Sequence, residues 1–251
     1  MRTACLALGG NLGDVASTFQ WIHQELVSRP DIEALRMSRI YRTAPVGANA
    51  GNPFLNAAIV CRTPLAPEDL LEICQHLEQQ AGRTREIHWG PRRLDLDLIG
   101  LEDQVVRSPR LILPHPSAWY RRFVLDPLCE LAPDWWHPER QATARELRDR
   151  LQRRPLIMDL RDLPCDTSLW ARELRAAFSS SELEVWTSTA APASGVATEL
   201  ATWRLIDPGY ASESWQAAAP LHRLATTAWT SLAVQDLVDV VRSALDVPVA
   251  E

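Results

Sequence analysis

Residues 3–8 alternate small and apolar side chains and break at Gly9-Gly10-Asn11, which predicts a strand entering a turn. Asn11 or Asp14 is placed to cap the helix that follows. That helix spans about 15–29, carries Val15, Phe19, Ile22 and Leu26 at helical spacing, and stops before Pro30. Ile32–Tyr41 reads as one strand, and Thr43–Pro53, rich in Gly, Pro and Asn, as an irregular loop of a length often tied to function. Phe54–Cys61 is a further strand. Pro67 opens a helix of good formers, Glu68–Gln80, with Gly82 as its C-terminal cap. A second irregular loop precedes the strand Leu94–Ile99. The run Leu111–Pro116 then leads into a short helix, with another element starting at Phe123–Leu125.

The order β-α-β-β-α-β predicts an α+β fold, a ferredoxin-like antiparallel sheet with helices packed on one face. Beyond Arg154-Pro155 the pattern continues with a strand Leu156–Leu160, a helix Leu169–Phe178 and a strand Leu183–Thr187, then helices Trp215–Ala228 and Ser231–Leu245. The expectation is two domains, 1–154 and a C-terminal α/β extension over 155–251. The extension holds five of the ten Trp, enough apolar material to pack. Val234, Leu237, Val238, Val241 and Leu245 make one apolar helix face, either core or interface, so self-association through the extension stays open.

Composition narrows the chemistry. The five cysteines are scattered without a C-x-x-C pair, which argues against a disulfide framework and a zinc site and suits a reducing cytoplasm. No apolar run of about 18 residues exists to span a membrane, and the apolar start is too short for a secretion signal; a cytoplasmic location is expected. Residues 1–154 hold 20 Arg against 19 acidic residues, and residues 155–251 hold 6 against 13, a shift that places the boundary near Arg154. Without a basic stripe, nucleic acid is not an expected partner. The chain has no lysine; all 26 basic residues are arginine. That excludes a Walker A loop, a protein-kinase strand lysine and Schiff-base chemistry. Phosphate must be held by Arg, backbone N–H groups or metal.

The run Trp89-Gly90-Pro91-Arg92-Arg93-Leu94-Asp95-Leu96-Asp97 carries the strongest chemical signal. On a strand Asp95 and Asp97 project to one face, with Cα atoms about 6–7 Å apart, while Leu94, Leu96 and Leu98 face a core. Paired carboxylates suit Mg²⁺, or two ions about 4 Å apart clamping a phosphate. The tetrapeptide alone also describes a half-buried strand with one wet face. Arg83, Arg85, Arg92, Arg93, Arg110, Arg121 and Arg122 lie within forty residues of the pair and supply the bidentate donors a polyphosphate–metal complex needs.

Five segments together resemble the 6-hydroxymethyl-7,8-dihydropterin pyrophosphokinase family over about residues 3–138. They are Ala7-Leu8-Gly9-Gly10-Asn11-Leu12-Gly13-Asp14, Tyr41-Arg42-Thr43-Ala44-Pro45, Phe54-Leu55-Asn56-Ala57-Ala58, Gly90–Asp97 and Pro114-His115-Pro116. The resemblance implies transfer of pyrophosphate from ATP to a pterin alcohol. It implies Asp95 and Asp97 as ligands of two Mg²⁺, and Arg83 and Arg92 as catalytic residues in a loop that closes over the site. For ATP it implies Gln75, Glu78, Arg85, Trp89, Arg92, Leu98, Arg110, His115 and Arg121. For the pterin it implies Thr43, Val46, Phe54, Asn56, Trp89, Asp95 and Phe123. The residue types agree with these roles, since aromatic faces stack a flat heterocycle and Asn56 offers both a donor and an acceptor.

The chain departs from the family's pattern at Ala44, where a rigid proline-like residue is usual, at Ile112, often polar, and at Arg93, often a small hydroxyl residue. These are expected to affect affinity. The extension has no counterpart in the single-domain family. It lacks the lysine of an aldolase neighbour and is too short for a synthase barrel, so a packing, dimerisation or regulatory role is the expectation. Asp159, Asp162 and Cys165 form a weaker candidate loop site. A catalytically silent binding module, or a phosphotransferase with another acceptor, would use the same fold.

Overall fold

The computed structural model describes residues 1–45, 51–82, 92–161, 163, 166–187, 202–206, 223–225 and 234–251. They form two compact units: Met1–Arg148 with Asp246–Glu251, and Asp149–Leu245. The sequence boundary at 154 takes no account of the return of the last six residues to the first unit.

In the first unit β1 (Arg2–Gly10) is central. It pairs antiparallel with β4 (Phe54–Thr63) on one side and β5 (Asp95–Leu101) on the other. β4 also pairs with β2 (Glu33–Met37) and β3 (Tyr41–Thr43), and β14 (Val249–Ala250) adds to the free side of β3. Every pair in this six-stranded sheet is antiparallel, and with the helices below it makes an α+β unit.

The expected strand over 32–41 is in fact two. From Met37↔Ile59 to Tyr41↔Asn56 one strand advances four residues and its partner three. The extra residue is absorbed at Ser38, whose Oγ accepts the Ala58 N–H at 2.9 Å in place of a backbone carbonyl.

α1 (Val15–Val27) and α2 (Pro67–Gln80) cover one face. Val15, Phe19, Ile22 and Leu26 from α1 and Leu70, Cys74 and Leu77 from α2 pack on Leu6, Leu8, Ile59, Leu96 and Leu98. Asp14 caps α1 by accepting from the Ser17 N–H at 3.0 Å.

The expectation that all helices lie on one face is corrected by α3 (Arg122–Leu131). Its Val124, Leu128 and Cys129 pack with Cys5, Ala58, Val60 and Ile99 from the opposite face. The alternation that aims Leu6 and Leu8 at α1 and α2 leaves Cys5 and Ala7 on the other side, small enough for a helix to approach. This second core ends before the Asp95 end of the sheet. Two short antiparallel pairs, β6 (Val106–Arg107) with β7 (Ile112–Leu113) and β8 (Trp136–His137) with β9 (Ala142–Thr143), flank α3 in sequence, and α4 (Ala144–Arg150) follows. Among the described residues no helix is long and apolar enough to cross a membrane, and the four described cysteines are free thiols.

The second unit is a parallel sheet in the order β11 (Leu183–Trp186), β10 (Leu156–Asp159), β12 (Trp203–Ile206), β13 (Arg223–Ala225), with α5 (Ser168–Ala177) crossing from β10 to β11. β12 has no counterpart among the expected elements, and β13 falls where a helix over 215–228 is expected; the rest of that span lies outside the described residues. The last helix, α6, is Val234–Leu245. Its Leu237, Val238 and Val241 are buried, which makes that face core. Asp159 is fully buried, taking 2.8 Å bonds from Nε and Nη2 of Arg161. Asp162 and Cys165 of that candidate site lie outside the described residues.

Candidate active site

The site begins with β5. Leu94, Leu96 and Leu98 are buried while Asp95 and Asp97 are half-buried on the other face, as the alternation dictates. β5 is the edge of its sheet, so both carboxylates stand at the rim.

Pairing carries the site inward. Gly9 lies opposite Asp95 on one side and Asn56 on the other, and Tyr41 lies opposite Asn56. A Cβ at Gly9 would stand 3.4 Å from Asn56 Oδ1 and 3.9 Å from the Asp95 Cβ. The missing side chain therefore leaves room for one methyl group between the amide and the carboxylate. Asn56 is 4% exposed and its Nδ2 donates to Thr43 Oγ1 at 2.9 Å, which fixes the orientation of the amide. Phe54 lies two residues earlier on β4, half-buried, on the same face.

The Gly-Gly-Asn turn has a role that sequence reasoning misses. Asn11 is a candidate helix cap by position; instead its Oδ1 accepts the Arg92 N–H at 2.9 Å, and its own N–H and that of Leu12 donate to the Arg92 carbonyl. A Cβ on Gly10 would lie 2.6 Å from the Arg93 carbonyl oxygen, so glycine permits this close approach. Arg92, held by its backbone, donates from Nη1 to Asp95 Oδ2 at 2.7 Å.

On the outer side of β5 a cavity of about 380 Å³ is lined by Gln75, Glu78, Asp97, Leu98, Arg110 and His115, joined by Leu71, Leu96, Ser108, Pro109, Leu111, Ile112 and Pro116. Six expected ATP or metal residues from three stretches of chain thus meet in one place. Glu78 also serves the structure. It is 5% exposed and its Oε1 accepts the Leu96 N–H at 2.9 Å, which fixes the strand between the two aspartates. Ile112, the apolar departure, lines the cavity and is 45% exposed.

His115 is neutral near pH 7. Burial pushes it down to about 4, the Arg121 charge adds to this, and Asp95 opposes both. Its Nδ1 accepts the Ser117 N–H at 3.2 Å, which leaves the proton on Nε2 as a donor. The Arg121 guanidinium lies 5.6 Å from the Phe123 ring centroid, so one face of that ring meets a cation. Val46, Arg83, Arg85 and Trp89 lie outside the described residues.

The donor set suits a magnesium–phosphate complex. Asp95 and Asp97 would offer hard oxygen ligands on one face; among the described residues no group of three or more His, Cys, Asp or Glu is placed to hold a metal ion by itself.

A family model, 7,8-dihydro-6-hydroxymethylpterin-pyrophosphokinase, matches residues 5–133. A 2-amino-4-hydroxy-6-hydroxymethyldihydropteridine pyrophosphokinase of Methylorubrum extorquens is 43% identical over 134 residues, covering 53% of this chain and 85% of that protein. Its namesake in Porphyromonas gingivalis is 41% identical over 143 residues, covering 55% of this chain and 96% of that protein. Against the solved Plasmodium falciparum HPPK-DHPS the TM-score is 0.44 at 12% identity. That match covers 84% of this chain and 57% of the other, and carries no weight for fold or function. The matched stretch of the family model contains both aspartates, the Gly-Gly-Asn turn and the cavity residues, and the chain belongs to the 7,8-dihydro-6-hydroxymethylpterin-pyrophosphokinase family.

Proposed function

We propose that the domain over residues 1–154 transfers the pyrophosphate of ATP to the hydroxymethyl oxygen of 6-hydroxymethyl-7,8-dihydropterin, releasing AMP, in the cytoplasm and on a ferredoxin-like scaffold. The chain is thus a diphosphotransferase of folate biosynthesis. The observation that carries the residue-level reading is the position of β5. The cavity holding Asp97, Arg110 and His115 lies on its outer side, and Gly9, flanked by Asp95 and Asn56, on its inner side.

In this reading ATP occupies the cavity, with Gln75 and Glu78 toward the nucleoside and Arg110, Arg121 and the His115 Nε2–H toward the phosphates. The pterin edge meets Asn56 and Thr43, and its ring stacks against Phe54 and Phe123. Asp95 and Asp97 would hold two Mg²⁺ together with phosphate oxygens; when bound, these ions neutralise charge on the polyphosphate. The protein's own share is positioning and charge. Arg92 sits beside Asp95, where its guanidinium would meet charge developing on an oxygen of the transferred group.

The test is to incubate the full chain with ATP, Mg²⁺ and 6-hydroxymethyl-7,8-dihydropterin and to identify the nucleotide product. AMP supports the proposal. ADP would mean transfer of a single phosphoryl group, and absence of any nucleotide product would leave a binding module.

A further inference from the structure

The last six residues return to the first unit and attach on both sides of Thr43. Val249 pairs with Arg42 and Ala250 with Tyr41, the Glu251 N–H donates to the Ile40 carbonyl at 2.9 Å, and the Glu251 carboxylate pairs with the Arg42 guanidinium. On the other side the Ala44 N–H donates to Asp246 Oδ2 at 2.9 Å. Between these attachments stands Thr43, 5% exposed, with its hydroxyl bonded to the Asn56 amide.

The bond to Ala44 depends on the residue there. A proline would have no N–H to give, and Ala44 is where this chain departs from a rigid residue. Alanine leaves the backbone after Thr43 free to rotate, and the Asp246 carboxylate, half-buried with the Arg122 charge nearby, restrains it from outside.

We propose that Asp246 is a positioning residue for the acceptor half of the site. Acting through Ala44, it holds the Thr43 hydroxyl on the Asn56 amide and so sets the affinity for the pterin alcohol. This rests on the reading of Thr43 and Asn56 as pterin contacts. β14 and β5 stand at opposite ends of the strand order, so the restraint acts on the acceptor half and leaves the ATP half as it is.

The experiment compares Asp246→Ala and Asp246→Asn with the unaltered full chain, measuring KM for each substrate and kcat by AMP release. Asp246→Ala is expected to raise the KM for 6-hydroxymethyl-7,8-dihydropterin by about tenfold, the size of one lost charge-assisted hydrogen bond. The KM for ATP and kcat stay within about twofold. Asp246→Asn keeps an acceptor oxygen and recovers most of the loss. A pterin KM unchanged in Asp246→Ala, or equal rises in both KM values, overturns the proposal. Should Asp246→Ala fail to fold, Arg42→Ala removes the exposed second attachment and is expected to give the same split at smaller size; no split there counts against the idea. If the unaltered chain makes no AMP, the functional reading fails instead, so the two failures are told apart.

Discussion

Arg92 Nη1 and Asp95 Oδ2 are 2.7 Å apart, with the two side chains 20% and 24% exposed. The pair is half-buried at the edge of its sheet, and in the proposed reaction a magnesium–phosphate complex on Asp95 would draw the guanidinium onto phosphate. Arg92→Gln is expected to lower kcat roughly a hundredfold, the usual scale for removing one charge stabiliser. The melting temperature should shift by no more than about two degrees; a kcat within about threefold of the unaltered chain would remove Arg92 from the mechanism.

Asp97 lies at the rim of the cavity on the half-exposed face of β5. Asp97→Ala is expected to abolish AMP formation with the fold retained, read by circular dichroism alongside the assay. Asp97→Asn should be nearly as inactive, because a neutral amide is a poor magnesium ligand. Turnover that survives either change would sink the metal assignment.

Gly9 and Gly10 should separate on substitution. Gly9→Ala meets only ordinary contacts, at 3.4 and 3.9 Å, so stability changes little. The added methyl narrows the gap between Asn56 and Asp95, and the pterin KM should rise severalfold. Gly10→Ala places a carbon 2.6 Å from the Arg93 carbonyl oxygen. It should destabilise the fold by about 1–3 kcal/mol through a forced backbone shift, measured by urea denaturation. Equal stability losses in the two variants would contradict this geometry.

Glu78→Ala would leave the Leu96 N–H without its bond to Oε1 in a buried setting. The expected cost is about 1–3 kcal/mol, with a weaker effect for Glu78→Gln, which keeps an acceptor. Amide exchange at Leu96 is the direct readout; unchanged protection in Glu78→Ala would contradict the assignment.

Two histidines make stability depend on pH. Burial, first, and a neighbouring arginine, second, push His115 down to about 4 and His137 to about 3, from the usual 6.5. Their folded values are depressed, so the unfolded chain binds more protons in the acid range. Their stabilising contribution is present above about pH 6.5 and is lost as pH falls toward 4 and then 3. Each contributes a slope of up to about 1.4 kcal/mol per pH unit there. Denaturation midpoints measured from about pH 8 to about pH 4 should fall below about 6.5, and His137→Gln should flatten the curve.

Much of the first unit was legible because its signals are local. Val15, Phe19, Ile22 and Leu26 mark α1 by spacing alone, and the Leu-Asp alternation from 94 to 98 aims the side chains as found. Features set by distant partners were not legible. Nothing near Ser38 says that its hydroxyl will take over a strand bond from Ala58, twenty residues away. Gly9 reads as an ordinary turn glycine until pairing puts Asn56 and Asp95 on its two sides. The element starting at Phe123 carries no sign of the face it covers, and only the small residues Cys5 and Ala58 on the back of the sheet reveal a second core there. β13, three residues long, is too short for any period to show. Asp246 lies 202 residues from Ala44 and carries no local mark at all.

The return of β14 to the first sheet also governs how the molecule behaves when it is cut. Residues 149–245 leave the first unit and come back to it, so they form a loop closed by strand pairing as well as by the covalent chain. One peptide-bond break inside that loop produces two fragments that still share the pairs Val249 with Arg42 and Ala250 with Tyr41. The protein should therefore run as two bands under denaturing conditions and as one particle in native buffer, with the shorter fragment serving as a detachable clamp on the edge of the catalytic sheet.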